Sequence, residues 1–393
     1  MPRPGTLVPM TPTVVRAASS ASFLALVPHL LECTPRESLV VVPFADGRSL
    51  GAMRVDLPRG GPTEAESIAS TVIGMACKVA STDAIVPVVY TDNPVTGGSD
   101  LPERALIDEV ASRAGICGLR VLDALVVGPD AWACYLDPAG MSAGPLSEIA
   151  DADAQGADAL PRTDQFSAAA LPAVDTETAA SVARSLGDVD DALGRPRDRR
   201  RLPLARRAEA DEIVSLLADP PALFERAVTE SGRLRSTMIA ALAFCLERPS
   251  LRDVALMQWA ADVAAGDAVL RAQTAFSAGT PFPEDLARPM WGEGPQPEPE
   301  RLRAALGVCR QVAATVPPDR RPGALSACAW LAWAQGRSSH AGTYAEEAIR
   351  IDPQHGLSAI MLSLLDAGRL PEWVFERPTS PAGRGSSRGS RAR

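Results

Sequence analysis

Lysine is all but missing from this chain: Lys78 is the only one in 393 residues, so nearly all positive charge is arginine. That lysine lies in a helical pattern, which excludes a Walker A phosphate loop. Histidine is scarce as well. His29, His340 and His355 are far apart and form no metal-ligand spacing. No G-x-S-x-G elbow and no H-E-x-x-H helix occurs. The seven cysteines are scattered, the closest two being Cys117 and Cys134, so C-x-x-C redox or zinc spacing is absent. Such a set reads as free thiols in a reducing cytoplasm, filling space as small hydrophobes. Long apolar runs are lacking too. Residues 7–15 are fairly apolar, but Pro9 and Pro12 interrupt them and Arg16 ends them, which speaks against an export signal. No stretch approaches the ~20 apolar residues of a membrane helix. The expectation is a soluble, cytoplasmic protein with no metal and no cofactor.

What is present is a globular balance. Hydrophobic residues make up 46% and charged residues 22%, with a net charge of -9. That length and composition allow two or three domains with ample cores. The negative charge argues against a nucleic-acid partner.

The first third alternates in the manner of an α/β domain. Helical spacing runs from Ser19 to Leu31, with Ser19, Ser20 or Ser22 available as cap and Pro35 closing it. Ser38 to Phe44 is a short apolar run expected to be a strand buried on both faces. Asp46-Gly47 is a hairpin signal, and residues 51–57 would pair back on the first strand. Residues 63–79 carry a helical stripe, 84–90 a strand, 101–114 a helix, 119–127 a strand and 131–136 a last strand. The order α-β-β-α-β-α-β-β predicts a mixed sheet with helices packed on it and parallel neighbours joined by right-handed crossovers. His29 falls near the end of the first helix, where a cation suits the helix dipole. A role for it as catalytic base has no nucleophile in a known spacing to support it.

The stretch SFLALVPHLLECTPRESLVVVPF (residues 22–44), followed by GAMRVDLP, resembles the opening of an actinobacterial family known as a domain of unknown function, DUF4192. ALSACAWLAWAQG and LLDAGRLPEW resemble its ending. The resemblance spans roughly residues 19–373 and implies no activity. In that family the last strand of the first domain runs into an aromatic and cysteine-rich segment. AWACYLDPAGMSAG keeps Trp132 and Tyr135 but only Cys134, so no metal or disulfide role follows from the likeness.

The remainder reads as helical. Residues 145–175 are rich in Ala, Asp and Pro and look like a linker. Helices are expected at 176–186, 208–217, 221–229, 236–246 and 251–264, with Gly266 as a stop. RPRDRRRLPLARR (residues 195–207) carries seven arginines but no aromatic, and acidic residues follow it, so it reads as a solvated loop. Residues 276–299 should form a long surface loop. Residues 301–316 are amphipathic. QGRSSHAGTYAEEAIRIDPQH (residues 335–355) is similar to the second half of a tetratricopeptide repeat: Gly336 breaks between two helices, Ala341 and Ala348 are small at the crossing, and Pro353 ends the second helix. His340 and His355 flank that helix as surface residues. The expected organisation is an α/β domain at 19–144, a linker at 145–175, a helical region at 176–290, a tetratricopeptide-like helical region at 300–376, and a disordered Gly/Ser/Arg tail at 377–393.

Two places could carry function. TDNPVTGGSD (residues 91–100) follows a strand and precedes a helix, where open α/β sheets bind ligands. Gly97, Gly98 and Ser99 could offer backbone N–H groups to an anion, and Asp92 could hold a cation or hydroxyl. Trp330 and Trp333 lie about 110° round their helix from the face of Leu325, Cys328, Ala329 and Ala332, on the side that lines the groove of tetratricopeptide arrays. Burial by neighbouring helices competes there with binding of a partner protein. The first reading is therefore a non-catalytic protein-interaction or scaffold role for the helical C-terminal part. The alternative is an enzyme or sensor of a small anionic ligand, a nucleotide or phosphometabolite, at residues 91–100.

Overall fold

A computed structural model describes residues 19–31, 33–58, 61–98, 100–137, 142–153, 164, 167–194, 204–230, 232 and 234–376. The apolar run at 7–15, Ser99, most of the arginine-rich stretch at 195–207 and the tail at 377–393 lie outside the described residues. The chain falls into two compact units, residues 1–165 and 166–393.

The first unit opens with α1 (Ser20–Leu31). Ser19 and Ser22 cap it reciprocally: the Ser22 N–H donates to the Ser19 hydroxyl at 3.2 Å and the Ser19 N–H to the Ser22 hydroxyl at 2.9 Å. Then come β1 (Ser38–Ala45), β2 (Arg48–Ser49), β3 (Met53–Asp56), α2 (Pro62–Lys78), β4 (Ala84–Tyr90), α3 (Arg104–Ile116), β5 (Arg120–Val121), β6 (Leu125–Val127), β7 (Trp132–Cys134), β8 (Ala143–Gly144) and α4 (Leu146–Asp153). The strands lie in the order β2-β1-β4-β6-β7-β8, with β3 also beside β1 and β5 beside β4. The sheet is mixed. β4 is antiparallel to β1 and parallel to β5 and β6, while β7 is antiparallel to β6. The parallel neighbours anticipated from the alternation amount to the β4–α3–β6 step. β1 turns straight back into β2 and β3, and α2 then delivers β4 to the other edge of β1, so β1 meets antiparallel strands on both sides.

The period of two in the strands sorts the core into two faces. Val40, Val42, Val86, Val88, Tyr90 and Leu125 pack with Leu24 and Val27 of α1, and Ile149 of α4 lies against them. The alternate residues Leu39, Val41, Ile85, Val89 and Val126 are equally buried and face α2 and α3, which pack on each other. Each such side chain contributes ~1.5–3 kcal/mol by leaving water, which is why β1 and β4 read as unbroken apolar runs. The segment expected as linker, residues 145–175, holds α4, which packs on α1.

The second unit is all helical: α5 (Thr176–Gly194), α6 (Leu204–Leu217), α7 (Pro220–Thr229), α8 (Ser236–Leu246), α9 (Pro249–Ala260), α10 (Val263–Ser277), α11 (Glu284–Ala287), α12 (Pro299–Thr315), α13 (Pro322–Ala334), α14 (Ser338–Ile351) and α15 (Gly356–Asp366). The amphipathic stripe of α12 is buried as its spacing requires. α13 has no solvent face at all, since all thirteen of its residues are buried among α12, α14, α15, α8 and α9. Gly266 does not stop a helix. It sits in the first turns of α10, where a Cβ would come within 2.9 Å of Gln258 Cβ on α9. Close helix approach, not termination, is its physical use. The loop expected at 276–299 contains α11 and a 3-10 turn at Arg288–Trp291.

Candidate functional site

A pocket of about 360 Å³ opens in the first unit at the carboxyl ends of β4 and β6. That is where an α/β sheet leaves a crevice, because the loops after parallel strands depart to different elements. α1 lines it through Leu24, Ala25, Pro28 and His29, and α4, packed on α1, through Leu146, Ile149 and Ala150. The base is Tyr90, Thr91 and Val127, and the loop from Cys33 to Glu37 closes one side. Pro28 inside α1 and Pro35 after it keep this wall free of a continuing helix.

Most of the lining is apolar, and the polar groups sit at two levels. At the base, the Tyr90 side chain is 8% exposed and its hydroxyl has no hydrogen-bond partner among the described residues. Burial pushes that phenol well above its ordinary range, so it stays neutral and keeps both a donor and an acceptor. At the mouth, Arg36 pairs with Asp92 at 3.2 Å, both side chains being well exposed, so the pair is worth little by itself. The Asp92 N–H donates to the Glu37 carboxylate. Desolvation and the charge of Glu37 together push the Glu103 carboxyl up. Of the charged residues that line the pocket, Glu37 and Asp92 outnumber Arg36.

The loop from Thr91 to Asp100 is held by an acid the sequence did not single out. Asp130, in the turn after β6, accepts from the Val95 N–H at 2.8 Å, the Thr96 N–H at 3.0 Å and the Thr96 hydroxyl. These bonds, that of the Thr96 hydroxyl first, hold its carboxyl down at about 2. Gly128 lets the two loops touch: a Cβ there would lie 2.7 Å from Val95 Cγ2 and 2.8 Å from the Asn93 carbonyl.

Of the loop residues anticipated as ligands, Asp92 lines the pocket. Gly97 and Gly98 are exposed and are not among the residues that line it, and Ser99 lies outside the described residues. α3 begins at Arg104, with Glu103 in the left-handed region at φ 55°, so the glycine pair is well upstream of that helix. His29 does reach the pocket, together with Cys33, Arg36 and Glu37, which the linear pattern did not bring together. Pro35 and the short spacing to β1 are the signal that a tight loop had to form there.

The remaining candidates have structural partners. Trp330 and Trp333 are 0% and 1% exposed. Their indole N–H groups donate to the carbonyls of Met290 and Arg369 at 3.0 and 2.7 Å. His355 is half-buried rather than on the surface and caps α15, its Nδ1 accepting from the Ser358 N–H at 3.4 Å. Desolvation, then the nearby Arg252, lowers its pKa. In the AWACYL segment the Trp132 indole donates to Glu148 at 3.2 Å, tying β7 to α4, and the Cys134 thiol donates to Asp123 at 3.1 Å. Among the described residues no His, Cys, Asp and Glu group could hold a metal ion, and no helix is long and apolar enough to cross a membrane.

A family model described as a domain of unknown function (DUF4192) matches residues 21–286 and 298–372. The comparisons with curated proteins and with solved structures each find no match.

Proposed function

Because this chain belongs to DUF4192, a family described by no activity, we propose from its pocket that residues 19–165 bind a small, largely apolar molecule, neutral or carrying an amine. The observation that carries this reading is the pocket itself: about 360 Å³ at the carboxyl ends of β4 and β6, mostly apolar in its lining, with Tyr90 at its base. Ligand pockets typically run ~300–1,000 Å³, apolar with a few placed polar groups. Tyr90 would hydrogen-bond the buried end of the ligand. Asp92 and Glu37 would favour an amine at the mouth over a carboxylate or phosphate.

The anionic version, with Asp92, Gly97, Gly98 and Ser99 as ligands, has weaker support. The Val95 and Thr96 N–H groups are already taken by Asp130. Two carboxylates face one guanidinium at the mouth. A protein-interaction role for the C-terminal helices rests on reading the α13–α14 hairpin as tetratricopeptide-like; Trp330 and Trp333 are spent on packing, so a partner would use other residues. The scattered cysteines support a cytoplasmic setting for either reading.

Melting of the full chain in the presence of octylamine, octanol, octanoate and ATP tests the proposal. A ligand at 100 times its Kd adds ~2.7 kcal/mol, a readable shift. Octylamine and octanol are expected to stabilise, and Ala150→Trp, which fills the mouth from an exposed position, is expected to abolish the effect. Stabilisation by ATP or octanoate alone, or an effect untouched by Ala150→Trp, would overturn it.

A further inference from the structure

Two of the seven thiols do not fit the description of small buried hydrophobes. Cys77 and Cys117 are exposed, whereas Cys33, Cys134, Cys245, Cys309 and Cys328 are buried. Cys77 lies in the last turn of α2, and Cys117 is the residue that caps α3, its N–H bonded to the Arg113 carbonyl at 3.0 Å. α2 and α3 pack side by side and both lead into the same end of the sheet, where Ala84 pairs with Arg120, and this makes the Cys77 and Cys117 thiols, forty positions apart in sequence, neighbours of one another. Both backbones are fixed by helix geometry, so the contact is set by the packing of the two helices. A second pair of neighbouring thiols, Cys309 of α12 and Cys328 of α13, is fully enclosed where those helices pack. It provides the contrast: the same chemistry without access.

We propose that Cys77 and Cys117 form a reversible disulfide by exchange with a low-molecular-weight disulfide, tying the end of α2 to the end of α3. One thiol ionises and its sulfur attacks the small disulfide, forming a mixed disulfide and releasing one small thiolate. The second protein thiol ionises, attacks the protein sulfur of the mixed disulfide and releases the other small thiolate. The two protons from the protein thiols end on the two small thiols. The protein loses two electrons and the small disulfide gains them. Local desolvation, then the Cys117 sulfur, push the Cys77 thiol up, so the exchange quickens as pH rises. The closed segment contains β4 and the whole of α3. The bond therefore restrains the unfolded chain over a long loop.

The test uses the folded full chain, reduced and then incubated with oxidised glutathione, alkylated and digested with trypsin. Cleavage at Arg59, Lys78, Arg113 and Arg120 places the two cysteines in peptides 60–78 and 114–120. The expected result is loss of two thiols of seven, one cross-link joining those peptides, and reversal by dithiothreitol. The oxidised chain should melt roughly 5–15 °C higher. Cys77→Ser and Cys117→Ser should each carry one glutathione on the remaining thiol and keep the melting temperature of the reduced protein. Seven intact thiols, two glutathiones without a cross-link, or cross-linking of Cys309 to Cys328 in preference would overturn the proposal. The wild-type cross-link map decides the matter even if a variant fails to fold.

Discussion

Asp130 holds the pocket's rim, and its chemistry makes the rim sensitive to acid. Its carboxyl falls from an ordinary 3.8 to about 2 because three donors from Val95 and Thr96 favour the charged form. A depressed carboxyl stabilises the fold fully above its ordinary pKa, and that contribution is lost as pH falls from about 4 towards 2. Hydrogen-exchange protection of the Val95 and Thr96 amides should therefore be high near neutrality and fall over that window. Asp130→Asn should lower it already at neutral pH and remove the pH dependence; unchanged protection would refute the role given to Asp130. Gly128 makes the same contact possible from the other side. Gly128→Ala forces a methyl against Val95 and the Asn93 carbonyl, and the expected cost is ~1–3 kcal/mol of stability, read as a lower denaturant midpoint. The sequence pointed to the loop from Thr91 to Asp100 through its glycine pair and its place after a strand. Asp130 was not legible, because it reaches that loop only once β4 and β6 are neighbours.

At the level of elements, periodicity was a good guide wherever one helix face met one core. Leu302, Ala305, Leu306, Cys309, Val312 and Val316, on one side of the stretch read as amphipathic, are all buried, and β1, β4 and α8 fall close to their anticipated spans. It failed where a contact between two elements decides what a residue does. Gly266 looks like a stop because glycine often is one; the α9 crossing that requires it is invisible in one dimension. α13 is similar. Its spacing gave one packed face and left the tryptophans between burial and a partner; only the neighbours that surround the helix decide for burial, and both indoles find carbonyl acceptors. Trp333→Ala should therefore cost ~3–5 kcal/mol by cavity formation and a stranded Arg369 carbonyl. Chemical unfolding followed at Trp330 and Trp259 would report it. A loss below ~1 kcal/mol would mean that the side chain is not held as described. The pocket was the least legible feature: its walls come from α1 and α4, at opposite ends of the first unit, and α4 lay in a stretch whose composition reads as linker.

For the molecule as a whole, two units with separate cores lead to a separable pair of transitions. A fragment ending at Gln165 and one beginning at Phe166 should each melt cooperatively and show the far-ultraviolet dichroism of its own elements. In the full chain, a pocket ligand should move only the transition that belongs to the first fragment. A single transition shifted as one, or a fragment that melts without cooperativity, would contradict this. The fully enclosed α13 also bears on how the protein is made. PGALSACAWLAWA has no charged residue, and two of its neighbours, α14 and α15, follow it in the chain. During synthesis there is an interval in which this helix has left the ribosome and those two partners have not. Chains stalled or truncated in that interval would present an uncovered apolar helix, a natural target for holdase chaperones and a seed for aggregation.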